Sequence, residues 1–136
     1  MTSPTATAAL RNAGAIAILA GGALHANLAL DSYGTSDLIT LFFINAIGSA
    51  LVALWIVYDR RPFALFAGLG IAGVSLLAFV LSRVGDGVVG FRGVGLEPGP
   101  DAILTLIAEG IALILIGAAV VMSRTDLVRY ARQLRS

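Results

Sequence analysis

His25 and Glu109 are ionisable side chains that stand inside long apolar runs of this sequence, and His25 is the only histidine in the chain. Histidine and glutamate can exchange protons or hold a polar ligand. The sequence contains no cysteine, which excludes thiol nucleophiles, thiolate metal sites and disulfides. A hydrolytic triad is excluded too, because no serine lies in a nucleophile-elbow motif and the single histidine lies in an apolar run. These residues favour a protein that is not an enzyme.

The composition is that of an integral membrane protein. Of the 136 residues, 58% are hydrophobic and 12% are charged, and the mean hydropathy is +0.94. A soluble domain covers its core with about 25% charged residues. Four runs are long enough to cross a bilayer, which takes about 20 helical residues. They are 13–30, 38–58, 63–82 and 102–122.

The four runs predict an all-α bundle of four transmembrane helices over residues 13–122. Arginine placement sets its orientation, because basic residues concentrate on the cytoplasmic side. The side that holds segments 1–12 and 123–136 carries seven arginines and two aspartates, whereas the opposite side carries two arginines and five acidic residues. We therefore predict a plasma-membrane protein with both termini in the cytoplasm.

Two segments outside the spans have a distinctive composition. The tail 123–136 is basic, and we expect a short interfacial helix that binds anionic lipid rather than nucleic acid. The outer connection before the fourth span repeats Val-Gly at 84–85, 89–90 and 94–95. One interpretation is a flexible glycine-rich loop. The other is a lid, in which Phe91 and Leu96 fold back over the outer mouth of the bundle.

Each span supplies one polar side chain at a similar depth. Counted from the outer end of each span at 1.5 Å per residue, these side chains lie about 8–10 Å deep. They are His25, Asn45, Ser75 and Glu109. Asn27 lies about 200° from His25 around an ideal helix, so we place it on the outer rim. We also place Arg83 on the rim, from where its long side chain is a more distant candidate partner for Glu109 than His25.

Three interpretations of this polar layer stay open. It is a set of interhelical hydrogen bonds, or a site for a proton relay, an ion or a small polar ligand, or a cofactor site. An apolar setting disfavours the charged carboxylate of Glu109 unless a cation pairs with it, and His25 is the candidate cation within the spans. We expect the protein to bind no cofactor. Of the possible cofactors, haem fits these residues best, although a single histidine supplies only one axial ligand. A zinc or copper ion would lack ligands.

The stretch LHANLALDSYGTSDLITLFFINAIGSAL, which contains His25 and Asn45, resembles the first two spans of a group of small membrane proteins. These are uncharacterised four-span integral membrane proteins of high-GC Gram-positive bacteria. The stretch VLSRVGDGVVGFRG is similar to their loop before the last span, and IAEG matches a glutamate in that span. The resemblance covers residues 13–120, with the loop expanded by the Val-Gly repeats. It implies a four-helix fold in the plasma membrane, and it does not indicate any activity.

The sequence therefore favours a non-enzymatic accessory subunit or small binding component of the membrane. Its expected partners are the lipid bilayer and either other membrane subunits or a second copy of the chain. The competing hypothesis is a transport or haem-binding redox element that uses His25 and Glu109.

Overall fold

The computed structural model describes the backbone of residues 4–133 and the side chains of residues 5–124. The described backbone forms four α-helices and no β-strand. The helices are α1 (Pro4–Leu30), α2 (Ser36–Tyr58), α3 (Pro62–Leu81) and α4 (Gly99–Gln133). Each contains a segment long and apolar enough to cross a membrane. The predicted all-α architecture of four membrane-spanning helices is confirmed at this level, and the orientation of the termini stays a prediction.

The helices begin and end where local chemistry supplies or removes hydrogen-bond partners. Thr35 caps α2, and its hydroxyl oxygen accepts a hydrogen bond of 3.3 Å from the backbone N–H of Leu38. Pro62 opens α3, where the missing N–H has no cost. Asp101 places a carboxylate in the first turn of α4, where its negative charge interacts favourably with the helix dipole.

Two helices are longer than the sequence predicted. α1 begins at Pro4 rather than near residue 13, so most of the segment 1–12 is helical. α4 continues to Gln133 without a break, whereas we expected a separate helix over 123–136. The added segments, 5–12 in α1 and 123–133 in α4, contain neither glycine nor proline, so nothing in them interrupts the helix. The amphipathic face expected for the tail concerns side chains that lie outside the described residues.

α1 is the most buried helix, because it packs along both α2 and α4. α3 packs mainly on α4, and its contact with α2 is less extensive. The core between the helices is built from aliphatic side chains, among them Ile18, Ile56, Leu65 and Ile116. We call the end that carries the connections 31–35 and 82–98 the loop end, and the opposite end the terminal end.

Arg11 ties α1 to the last turn of α2 at the terminal end. It is one of the seven arginines counted for the orientation of the bundle, and the residue is only 9% exposed. The guanidinium donates to the backbone oxygens of Ile56 at 3.0 Å and Asp59 at 2.6 Å. These are carbonyl groups that a helix end leaves without a backbone partner. Arg11 is therefore a structural cap for α2 as well as a positive charge.

Candidate functional site

A cavity of about 590 Å³ lies between α2, α3 and α4 and extends from the loop end as deep as Gly48 and Ala67. It exists because α2 packs mainly on α1 and α3 mainly on α4, whereas the contact between α2 and α3 is less extensive. Most of its wall is apolar, formed by residues that include Leu41, Phe42, Ile71, Val74, Phe79 and Leu106. The four polar residues predicted to share one layer, His25, Asn45, Ser75 and Glu109, all line this cavity.

His25 and Glu109 face each other across the α1–α4 interface. They are 7% and 5% exposed, and Nδ1 of His25 lies 3.7 Å from Oε1 of Glu109. The same Nδ1 lies 2.9 Å from the carbonyl oxygen of Gly21. A carbonyl oxygen only accepts hydrogen bonds, so Nδ1 carries the proton in this arrangement. The neutral ring then presents Nε2 as a hydrogen-bond acceptor.

Gly21 allows the Glu109 carboxyl group to lie against α1. A Cβ atom added to Gly21 would lie 3.3 Å from Oε1 of Glu109, closer than ordinary van der Waals contact. A larger residue at this position would push the carboxyl group away from α1. The glycine at this position in α1 therefore lets the helices pack closely and also positions the carboxyl group of Glu109.

Asn45 and Ser75 form the corresponding link between α2 and α3. The side-chain amide of Asn45 donates to Oγ of Ser75 at 2.5 Å, and its carbonyl oxygen accepts from Ser49 at 3.1 Å. Both pairs line the same cavity and together form one polar cluster on its wall. Ser49 is not among the residues that the sequence placed in the polar layer. Its spacing of four residues from Asn45 on one helix face was the signal that could have placed it here.

Oε2 of Glu109 has no hydrogen-bond partner although it is buried. Among the described side chains, Thr7 is the other residue with such an atom. Leaving a buried polar group unpaired costs about 1–3 kcal/mol, and more when the group is charged. Such a group in a native protein calls for an explanation, of which a bound ligand or ion is one. Glu109 is the deepest acidic residue on the cavity wall.

Arg83 organises the loop that covers the cavity. Its guanidinium donates to the carbonyl oxygens of Gly95 at 3.0 Å and Glu97 at 2.5 Å, and also to Oγ of Ser82. The guanidinium carbon lies 3.6 Å from the centre of the Phe79 ring. The reach towards Glu109 that the sequence suggested is not made, because these loop groups take the donors.

The loop 82–98 folds back onto the α1–α2 connection. The rings of Phe91 and Tyr33 meet edge to face at 5.2 Å, and the hydroxyl of Thr35 donates to the carbonyl oxygen of Val89 at 3.2 Å. Phe91 lines the cavity, whereas Leu96, the other residue expected in a lid, is exposed. Burial raises the pKa of the Tyr33 hydroxyl, with the charge of Arg83 acting in the opposite direction. These contacts favour the lid interpretation over a flexible connection.

Asn27 lies on the exposed rim and not in the cavity cluster. Its amide nitrogen is 3.1 Å from a carboxylate oxygen of Asp101 and 3.3 Å from one of Asp31. The side chain thus connects the end of α1 to the start of α4 at the surface. Its position agrees with the turn of about 200° that separates it from His25 on an ideal helix.

Within the described part of the chain, no group of three or more histidine, cysteine or acidic residues could hold a metal ion. For haem, Nε2 of His25 is the ring nitrogen that remains for ligation, since Nδ1 is engaged by Gly21. A visible-absorption spectrum of the purified protein decides this point. A Soret band that disappears in His25→Ala would identify haem.

Comparisons with protein-family models, with curated proteins and with solved structures found no match to this chain. The resemblance to four-span proteins of high-GC Gram-positive bacteria therefore stays a prediction. The site has to be interpreted from its own geometry.

We expect the side chains of His25 and Glu109 to be energetically coupled. A double-mutant cycle with His25→Ala and Glu109→Gln should give a coupling of about 0.5–1.5 kcal/mol in the free energy of unfolding. The control cycle pairs Glu109→Gln with Asn27→Ala, which faces the rim and should be additive. Additivity in the first cycle would contradict the contact between the two side chains.

Proposed function

We propose that the protein is a non-enzymatic membrane component that binds a lipophilic small molecule in the cavity between α2, α3 and α4. The observation that carries the proposal is a large apolar cavity whose wall includes Glu109, a residue with a buried carboxyl oxygen that has no partner. A volume of about 590 Å³ falls in the range of sites for drug-sized ligands, about 300–1,000 Å³. Such sites combine an apolar wall with a few polar groups that orient the ligand, which is the composition of this cavity.

The ligand reaches the cavity from the bilayer, between α2 and α3. Ile44 on α2 and Val74 on α3 line the cavity and are 60% and 65% exposed, so the cavity extends to the lipid-facing surface there. The loop end is covered by the segment around Phe91 and by the Arg83 hydrogen bonds. Lateral access favours a molecule that partitions into the membrane.

We also propose that the bundle lies in the plasma membrane with both termini in the cytoplasm. The excess of arginine at the terminal end supports this orientation. Other membrane subunits or a second copy of the chain are candidate partners, since α2 and α3 expose wide apolar faces.

A matched pair of cavity variants tests the proposed binding. Gly70 lines the cavity, and a Cβ atom added there meets no atom within 4 Å, so Gly70→Phe can fill part of the space. Gly73 is equally uncrowded but does not line the cavity, so Gly73→Phe is the control. The probe is a long-chain alcohol that carries a photoactivatable diazirine in its chain, used with protein in lipid nanodiscs.

We expect saturable labelling of cavity residues such as Leu41 and Ile71 in the wild type and in Gly73→Phe. Gly70→Phe should weaken this labelling by about tenfold or more, because its ring displaces apolar contact area. Labelling that never saturates and is equal in both variants would mean that the probe samples only the lipid surface. That result would overturn the proposal.

A second candidate function is proton exchange through the cavity. The separation of 3.7 Å between His25 Nδ1 and Glu109 Oε1 favours it, because a small movement would bring the two groups into hydrogen-bond distance. Proton flux into liposomes that falls to background in both His25→Ala and Glu109→Gln would support this function. Equal flux in wild type and variants would exclude it.

A further inference from the structure

We infer that the molecule bound in the cavity is a lipophilic amine, with its ammonium group at Glu109 and its apolar body along α2 and α3. This inference rests on the proposed function, because it names the chemical class of the ligand for the same cavity. It follows from two features of the cavity wall, the hydrogen-bonding state of the polar cluster and the placement of charges.

The polar cluster contains one acceptor without a partner, while the donors of Asn45, Ser49 and His25 are engaged. The Asn45 amide donates to Ser75, Ser49 donates to Asn45, and Nδ1 of His25 is held by Gly21. Oε2 of Glu109, in contrast, is buried without a partner. A ligand group that completes this cluster must therefore supply a hydrogen-bond donor.

The charges on the cavity wall favour a cationic donor. Glu97 and Glu109 contribute carboxyl groups, and Arg83 is the cavity-lining residue with a permanent positive charge. Arg83 lies at the loop end, where carbonyl oxygens of the loop hold its guanidinium. At the deep end, the ionisable side chain that the structure places beside Glu109 is His25, whose Nδ1 proton is directed at Gly21. An ammonium group would supply the positive charge that this end lacks.

A primary ammonium group can donate to several of the acceptors on the cavity wall. It has three N–H donors, and charge-assisted hydrogen bonds are about twice as strong as neutral ones. Oε2 of Glu109 is the first acceptor. Nε2 of the neutral His25 ring and Oγ of Ser75 are further acceptor atoms on side chains that line the same cavity.

Other head groups fit less well. A fatty acid would place a second carboxylate against Glu109, and a ketone offers no donor. An alcohol has one donor but no charge. A neutral Glu109 would itself donate and would favour the ketone, which is therefore a competing outcome of the test.

The experiment uses protein in nanodiscs of zwitterionic lipid, with the photoprobe alcohol described above. The competitors are dodecylamine, dodecanol, 2-dodecanone and dodecanoate, which share one chain length. The variants are Glu109→Gln and, as a control, Asp37→Asn, which removes an exposed carboxylate outside the cavity. The ratio of half-maximal concentrations between variant and wild type cancels the partitioning of each competitor into the bilayer.

We expect dodecylamine to lose about tenfold or more of its potency in Glu109→Gln, with the potency of dodecanol unchanged. Asp37→Asn should leave all four competitors unchanged. Should Glu109→Gln fail to fold, Glu109→Asp takes its place, because it keeps a carboxyl group but withdraws it by one methylene, and dodecylamine should again lose more potency than dodecanol.

Two results would overturn the inference and leave the proposed function intact. In the first, amine and alcohol lose potency equally or not at all in Glu109→Gln. In the second, the ketone is the competitor that loses the most potency in Glu109→Gln. A third result, labelling that no competitor reduces, would overturn the proposed function itself.

Discussion

Replacing Gly22 with valine should lower the free energy of unfolding by about 2 kcal/mol or more, because it forces α1 away from α2. A Cβ atom added to Gly22 would lie 2.6 Å from Cβ of Ser49 and 3.3 Å from the backbone oxygen of Ala46. Neither atom is the end of a flexible side chain, so the clash can be relieved only by moving a helix. Unfolding of the purified protein in detergent, driven by heat or by sodium dodecyl sulfate, measures the loss.

The control for this variant is Gly110→Val on α4. A Cβ atom added to Gly110 meets no atom within 4 Å, so the same change in volume and helix propensity occurs without a clash. We expect Gly110→Val to be neutral or slightly stabilising, since glycine is a poor helix former. Equal losses in the two variants would show that helix packing at Gly22 is not the cause.

Replacing Arg11 with methionine should lower the free energy of unfolding by about 3 kcal/mol, because two hydrogen bonds from a charged donor are lost. Methionine retains the unbranched apolar stem, so the change isolates the guanidinium group. The carbonyl oxygens of Ile56 and Asp59 would then lack this donor at the end of α2. Exchange of the backbone amides in the last turn of α2 should accelerate in parallel.

Arg60→Met is the matched control, because Arg60 is exposed at the same end of the bundle. It removes the same charge from the terminal end without removing a buried donor. We expect a change of less than about 0.5 kcal/mol, as is usual for exposed positions. A large loss in Arg60→Met would mean that net charge, and not the α2 cap, stabilises this end.

The sequence predicts the helices well because the bilayer sets their length. Twenty apolar residues form a span whatever their order, so composition and the intervening charged segments locate all four helices. The ends are less predictable. Nothing in composition distinguishes a helix that stops at the membrane from one that continues into water, as α1 does towards Pro4 and α4 towards Gln133.

Position along each helix can be counted from the sequence, but rotation about the helix axis cannot. Counting residues places His25, Asn45, Ser75 and Glu109 at one level, and the structure brings all four to one cavity. Which side chains meet depends on helix order and on close approach at glycines such as Gly21. The α1–α4 pair of His25 and Glu109 and the α2–α3 pair of Asn45 and Ser75 emerge only from the packed bundle.

The sequence also does not predict the burial of Arg11 or the cavity, because both depend on how the helices pack. An arginine near the end of a span reads as a topological signal, and its hydrogen bonds to α2 depend on a partner 45 residues away. The cavity is the space left by the loose contact between α2 and α3, and residue types alone do not encode that gap.

Nuclear Overhauser measurements on the protein with dodecylamine in nanodiscs test the central claim most directly. The claim is that a ligand lies in the cavity with its polar head at Glu109. It predicts cross-peaks from the methylene next to the nitrogen to protons of His25 and Ser75, and their loss in Gly70→Phe. Cross-peaks confined to exposed, lipid-facing side chains such as Ile16 and Ile114, and unchanged in that variant, would contradict it.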